Sequence, residues 1–345
     1  MAHQLIEDAI EGRILRAADA EELMEELLGG RAATPQIVEL LTALNSRPYR
    51  AEELAGFARA MRRHAAQVFR PGEPLPERMV DTCGTGGDDS GTFNISTTAA
   101  IVAAAGGARV AKHGNRAASS KSGSADVLEA LGVRIDLPFA DTGRAIREIG
   151  IGFLFAQAAH TAMRHVMPAR KQIGARTVFN LLGPLTNPAG ARAQVLGVFS
   201  ADVVDLVAET LAKLGAECAF VVHGFGKLDE ISLAGPTLVA EVRESRIRRY
   251  EVNPEDFGLE PAPLEAIQGG TPAENAKMIR AILAGESSPA RDIVLINAAA
   301  ALVAAGVAHG FREGADLAQE AIHTSAAEEK LAELVGFAPE KSPQA

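Results

Sequence analysis

Cysteine is scarce in this sequence: Cys83 and Cys218 are the only two, far apart and in no metal-ligand spacing. They read as structural thiols in a reducing compartment. Cations are outnumbered, 34 Lys and Arg against 44 Asp and Glu for a formal charge of −10, which excludes broad nucleic-acid binding because phosphate neutralisation needs a basic face. Long hydrophobic runs are missing too. The longest, Thr97 to Ala105 and Ile293 to Val307, are Ala-rich and fall short of the roughly 20 residues that span a bilayer. The opening Met1-Ala2-His3-Gln4-Leu5-Ile6-Glu7-Asp8 carries carboxylates where a signal peptide needs cations, so a cytoplasmic location is expected. No internal repeat and no low-complexity tract interrupts the chain.

What is present is globular composition, 47% hydrophobic and 23% charged over 345 residues, enough for two cores of the usual size. The first seventy residues read as helices. Gly29-Gly30 closes one; Thr34-Pro35 then pairs an N-cap hydroxyl with a proline at the first helical position, before Ile37, Leu40, Leu41 and Leu44 at helical spacing. A third helix is expected over 51–69, ending at Arg70-Pro71-Gly72-Glu73-Pro74, a linker or hinge. From Arg78 short apolar strands alternate with helices: Met79 to Asp81, Ala108 to Ala111, Gly152 to Ala156, Val195 to Phe199, Ala219 to Val222 and Thr237 to Val242. Helices are expected over 124–131, 203–214, 272–283, 293–305 and 314–321. The alternation predicts an α/β domain with a mainly parallel sheet.

Five stretches bear on the chemistry. Gly84-Thr85-Gly86-Gly87-Asp88 follows an apolar strand, and its glycines let backbone N–H groups surround an anion. It fits neither a G-x-G-x-x-G dinucleotide loop nor a G-x-x-x-x-G-K-[ST] loop. Asn94-Ile95-Ser96-Thr97 opens a helix, either as a simple cap or as a phosphate site whose serine can also ligate a hard cation. The segment from Lys112 to Ser124 gathers three cations among serines and glycines and reads as an oxyanion-binding loop following a strand. Asp229-Glu230, after the strand ending His223-Gly224, offers paired carboxylates beside that site, and Mg²⁺ binds through one or two carboxylates plus substrate oxygens. A fifth stretch is the run from His160 through Arg170 to Pro188; its His160 and His165 have no zinc spacing and are not read as metal ligands.

In combination these segments, with Ser124 to Gly132 and Gly183-Pro184-Leu185-Thr186-Asn187-Pro188, resemble the anthranilate phosphoribosyltransferase family in order and spacing from about residue 5 to about residue 335. The resemblance implies a small helical domain over 1–70, completed by about 167–188. It implies a large α/β domain over 75–166 and 189–345, of the nucleoside phosphorylase-like phosphoribosyltransferase fold. It further implies a homodimer through the helical domain, and transfer of a phosphoribosyl group from phosphoribosyl pyrophosphate (PRPP) to the anthranilate amine in tryptophan biosynthesis. By the same resemblance, PRPP is expected on Gly84, Gly87, Asp88, Thr92, Asn94, Ile95, Ser96, Thr97, Lys112, His113, Gly114, Asn115, Arg116, Ala117, Ala118, Ser119, Ser120 and Ser124. Two Mg²⁺ ions per monomer are expected on Ser96, Asp229 and Glu230, and anthranilate on Gly84, Asn115 and Arg170. No general base is assigned, because an aromatic amine is uncharged at neutral pH.

Two departures stand out. Thr161 replaces the proline that members commonly carry after the residue matching His160. Gly226-Lys227 replaces a common Asp-Gly before Leu-Asp-Glu, which bears on the shape of the metal loop. The alternatives are a pyrimidine nucleoside phosphorylase of the same architecture and a non-enzymatic nucleic-acid-binding relative. Asp229-Glu230 and the Asn115/Arg170 pair favour the transferase over the first; the missing basic excess disfavours the second.

Overall fold

The computed structural model describes residues 2–117 and 120–339. Four helices come first: α1 (Ala2–Ile10), α2 (Ala17–Leu28), α3 (Thr34–Asn45) and α4 (Ala51–His64). They bury the residues that recur at helical spacing, Leu23, Met24 and Leu27 on α2 and Ile37, Leu40, Leu41 and Leu44 on α3. At Gly56 a Cβ would stand 2.2 Å from the Ala17 carbonyl oxygen, so only glycine lets α2 and α4 pack this closely. Thr34 is the first helical residue rather than the cap; the Ala33 N–H is satisfied by Gln36 Oε1 at 3.1 Å. α4 stops at His64, short of the expected Phe69, because the Ala66 N–H turns to the carbonyl of Ala159 at 2.9 Å.

The second part begins with β1 (Met79–Asp81), α5 (Ile95–Ala105), β2 (Arg109–Gly114), α6 (Ser124–Leu131), α7 (Phe139–Glu148) and β3 (Ile151–Phe155). Three short helices follow, α8 (Ala156–Ala159), α9 (Met167–Ile173) and α10 (Val178–Leu182). The chain then returns to β4 (Ala193–Gly197), α11 (Val204–Lys213), β5 (Cys218–Gly224) and the hairpin β6 (Thr237–Arg243) and β7 (Arg246–Val252). It closes on α12 (Pro272–Leu283), α13 (Pro289–Ala304), α14 (Phe311–His323) and α15 (Ala326–Gly336).

Seven strands form one sheet in the order β3-β2-β1-β4-β5-β6-β7, parallel from β3 to β5 and antiparallel across the β6–β7 hairpin. The mainly parallel sheet expected from sequence is therefore present, with an antiparallel edge. β2 runs three residues beyond its expected end, since Lys112, His113 and Gly114 pair with Phe153, Leu154 and Phe155. The first part of the supposed oxyanion loop is thus strand, and Lys112 and His113 are buried.

Alternation places Val110, Phe153, Val195, Phe220 and Val222 on one face, packed with the Ala-rich α5 and α13. Leu196, Ala219 and Val221 turn to the other, where α11, the N-terminal helices and residues such as Val166, Phe179 and Leu182 share one core. Arg62 on α4 adds a polar tie, donating to the Leu185 carbonyl at 2.8 Å; burial lowers its pKa to about 10. Strand order reverses between β1 and β4, and in open α/β sheets ligands bind outside the carboxyl ends of strands at such a switch point.

Candidate active site

The loop after β1 crosses that switch point and is pinned to β4. The Thr85 N–H donates to the Gly197 carbonyl at 2.9 Å, and Thr85 Oγ1 accepts from the Phe199 N–H at 3.1 Å. Gly86 and Gly87 are both left-handed, φ 65° and 75°, which glycine adopts without strain. This turns the Gly86 N–H onto Asp229 Oδ2 at 2.7 Å. Gly84 is closely packed: a Cβ would lie 3.0 Å from the Gly197 oxygen and 3.1 Å from Asp229 Oδ2, so a side chain there would push one of them back by a few tenths of an ångström. Gly197 is tighter still, with Asp229 O at 1.5 Å from a Cβ. Sequence reasoning missed it, although a glycine within a strand often marks close approach of another backbone.

The carboxylates enter from the loop after β5. Asp229 and Glu230 keep part of their surface open to solvent, yet protein rings them densely. Burial, followed by the nearby Asp88 charge, pushes Asp229 well above the ordinary carboxylate range. Glu230 is raised well above the ordinary value by burial and then by Asp229, with Lys112 opposing. The Ser96 N–H in the first turn of α5 donates to Glu230 Oε1 at 3.2 Å, and the Asp229 N–H reaches Asp88 Oδ2 at 3.4 Å. Lys112 Nζ is held beneath by the Thr82 carbonyl at 3.1 Å, while Thr82 Oγ1 bonds the Ser96 carbonyl at 3.1 Å. Glycine loop, helix start, lysine and carboxylate pair thus form one connected site. Gly226 and Lys227 are both left-handed, φ 81° and 67°, and Gly224 and Leu228 bond each other across them. The departure from the common Asp-Gly therefore leaves a closed turn, with Leu228 fully buried beside the carboxylates.

The remaining expected residues fall into three groups. Asn94 turns its side chain away from the helix it precedes: its amide donates to the Ser122 carbonyl at 3.0 Å, and its oxygen accepts from Ser122 Oγ and Asn275 Nδ2, each at 3.0 Å. It fastens the serine segment to α12. Thr92 lies beside Ser90, with their hydroxyls 3.2 Å apart; Ile95 and Thr97 are buried on α5. At the end of β2, Gly114 would place a Cβ 2.2 Å from Ser124 Oγ, and that hydroxyl accepts from the Asn115 N–H and donates to the Asn115 carbonyl, both at 3.1 Å. Arg116 is spoken for by Asp126 and Glu129, at 3.0 and 2.5 Å. Asp126 also holds the N–H groups of Ala117 and Gly123 at 2.9 Å. Ser120 is exposed, and Ala118 and Ser119 lie outside the described residues.

Arg170 sits apart on α9, half-buried, its guanidinium 5.5 Å from the Phe179 ring and 3.9 Å from Met167 Sδ. Among the described residues no ion pair engages it and no hydrogen bond joins it to Gly84 or Asn115. Arg176, which sequence reasoning passed over, does reach the glycine loop. It donates to the Gly87 carbonyl and stacks over Phe199 at 4.4 Å, while its own carbonyl accepts from Asn45 of α3 at 2.7 Å. Beneath β2, Asp81, Cys83 and His113 bring possible ligand atoms within 4.8 Å of one another. Lys112 stands beside them, and burial pushes Cys83 up to about 12 and His113 down to about 3, which suits neutral core groups.

A helical bundle packed on a mainly parallel sheet, with a glycine loop bonded to paired carboxylates at the switch point, is the architecture of a two-domain glycosyl transferase. Residues 76–328 match the glycosyl transferase family a/b domain and residues 3–65 its helical bundle domain. An anthranilate phosphoribosyltransferase of Solibacter usitatus is 52% identical over 95% of this chain and 96% of its own. The crystal structure of the Thermus thermophilus anthranilate phosphoribosyltransferase superposes with a TM-score of 0.91 at 48% identity, covering 96% of this chain and 98% of that one. The Saccharomyces cerevisiae enzyme, solved in complex with PRPP and Mg, gives 0.85 at 29% identity over 97% and 96%. Solved with 4-fluoroanthranilate it gives 0.83 at 27% over 97% and 98%. The chain belongs to the anthranilate phosphoribosyltransferase family.

Proposed function

We propose that this chain transfers the phosphoribosyl group of PRPP to the amine of anthranilate, giving N-(5-phosphoribosyl)anthranilate and pyrophosphate in tryptophan biosynthesis. The carrying observation is the half-open Asp229-Glu230 pair, bonded directly to the glycine loop and to the first turn of α5. Two crowded carboxylates whose protons are held too tightly are a poor arrangement alone and a good one around a hard dication. The all-oxygen donor set of Asp229, Glu230 and Ser96 fits Mg²⁺. We assign two Mg²⁺ per monomer to these residues, where the metal would neutralise charge on pyrophosphate.

The chain's own groups do the rest. Gly84, Gly87, Asp88, Thr92, Asn94 to Thr97, Lys112 to Ser120 and Ser124 cradle PRPP, the glycines and helix start by backbone N–H groups and Lys112 by charge. Because Asn94 and Arg116 are already engaged, their contribution comes from backbone groups or needs those partners to be exchanged. Gly84, Asn115 and Arg170 hold the acceptor, the arginine by its carboxylate. No base is needed, so catalysis rests on positioning and on electrostatic stabilisation of the separating charges. Residues 167–188 complete the helical domain begun by 1–70, a reading supported by the core shared between Val166, Phe179, Leu182 and α1–α4. The helical domain also forms the homodimer contact, for which exposed Ile14 and Met167 offer apolar surface. No helix among the described residues is long and apolar enough to cross a membrane, and we place the enzyme in the cytoplasm.

Activity is tested with PRPP, Mg²⁺ and anthranilate, following loss of anthranilate fluorescence, beside a parallel assay with a pyrimidine nucleoside and phosphate. Turnover in the first alone is expected; turnover in the second alone would reverse the assignment.

A further inference from the structure

α13 is almost entirely Ala, Ile, Leu and Val on its buried side, and one polar residue interrupts it. Asn297 is 3% exposed. Its Oδ1 accepts from the Ile231 N–H at 2.9 Å, and its Nδ2 donates to the Ile231 carbonyl at 3.0 Å and to the Ile293 carbonyl one turn back at 2.9 Å. The carboxamide therefore imitates a neighbouring strand for a single residue of a loop that has none. Ile231 is itself 1% exposed, so without Asn297 both of its backbone groups would be buried and orphaned, which native structures avoid.

Ile231 directly follows Glu230. The N–H that Asn297 holds belongs to the peptide whose carbonyl is Glu230's, so the clamp fixes that peptide plane and with it the direction from which Glu230 leaves the backbone. On the other side, Gly224 and Leu228 bond each other across the preceding turn. The two carboxylates are thus carried on a short segment tied at both ends, once by the sheet and once by Asn297, and charge repulsion between them cannot be relieved by letting the loop drift.

We infer that Asn297 is a positioning residue for the metal-binding carboxylates, acting through Ile231 without touching substrate or ion. The inference rests on the assignment of Mg²⁺ to Asp229 and Glu230. Residues that orient ligands from behind typically change metal affinity about 10–100-fold when removed. A purely structural asparagine would instead lower stability and leave affinity alone.

The test uses Asn297→Leu, the milder Asn297→Ser, Glu230→Gln, and Leu302→Ala as a control. Leu302 lies on the same helix, fully buried and against Gly106 rather than the loop. Mn²⁺ is titrated into each full-length protein with saturating PRPP, free Mn²⁺ is read by electron paramagnetic resonance against a PRPP-only blank, and Tm is measured alongside. Asn297→Leu is expected to weaken Mn²⁺ binding by about tenfold or more, Asn297→Ser by less, and Leu302→Ala not at all despite a fall in Tm. The Mg²⁺ activation curves should shift by the same factors, with kcat partly restored at high Mg²⁺. If Asn297→Leu does not fold, Asn297→Ser alone decides. Wild-type Mn²⁺ affinity in the Asn297 variants, with only Tm lowered as in Leu302→Ala, overturns the inference. Wild-type affinity in Glu230→Gln overturns the metal assignment itself, and the role of Asn297 with it.

Discussion

Arg170→Ala separates recognition of the acceptor from stability. The guanidinium is half-buried against Phe179 and Met167, and burial lowers its pKa; no ion pair among the described residues engages it. A cation kept partly dry without a counter-charge favours an anion that arrives from outside, and the planar guanidinium matches a carboxylate. A hydrogen bond to a charged group is worth about 1.5–3 kcal/mol, and each 1.4 kcal/mol is about tenfold. Arg170→Ala should therefore lower kcat/KM for anthranilate by roughly ten- to a hundredfold. PRPP affinity should hardly change, and stability should fall by no more than the loss of a half-exposed cation–π contact, about 0.5–1 kcal/mol. The discriminating assay compares anthranilate with aniline, which keeps the amine and lacks the carboxylate. The mutant's preference for anthranilate must shrink toward what Asn115 and its neighbours supply. An undiminished preference would refute the assignment of Arg170 to the acceptor.

Asp229→Asn combined with Glu230→Gln should keep the fold and abolish the response of rate to Mg²⁺, because hard-cation binding depends on the carboxylate charge; an unchanged Mg²⁺ curve would remove both residues from the site. Lys227 is exposed and left-handed at φ 67°, so Lys227→Gly should stabilise by about 0.5–1 kcal/mol in urea unfolding, and a loss would show that the turn is not strained. Burial holds His160 at about 4 and His113 at about 3, below the unfolded value of about 6.5. Protons then bind the unfolded chain more readily, so this stability is fully present above about pH 6.5 and is lost as pH falls toward about 4. His160→Gln should flatten the dependence between pH 5 and 6.5 by up to about 1.4 kcal/mol per pH unit. Asp81, raised to about 6 by burial, acts in the opposite sense in both proteins. Equal slopes in urea unfolding would mean that His160 titrates normally.

Legibility followed local pattern. Helices 124–131 and 272–283 end where their caps and periodicity place them, and every strand with an apolar run was visible. β7 was not, because Arg246, Arg248 and Arg249 fill an exposed edge strand whose pairing to β6 comes from a tight turn at Glu244-Ser245, both left-handed. α13 begins four residues ahead of the expected Ile293, although Ser288 and Pro289 form a readable start. The chemistry-bearing segments announced themselves by composition. Their supports did not: Asn297 and Asn275 are single polar residues on helices, and they meet partners 66 and 181 positions away. Gly197 reads as an ordinary strand glycine until the Asp229 backbone is laid against it. Only the three-dimensional arrangement shows that α12 and α13, apparently packing helices, fasten two of the site's loops.

The central claim is that the β1/β4 switch point holds PRPP with its metal on the Asp229-Glu230 segment, and a crystal grown with PRPP and Mn²⁺ tests it most directly. Anomalous difference maps should place Mn²⁺ against Asp229 and Glu230, with the pyrophosphate between the Gly84 to Asp88 loop and the start of α5. Strong Mn²⁺ density elsewhere, with these carboxylates left in their bonds to Gly86 and Ser96, would contradict it.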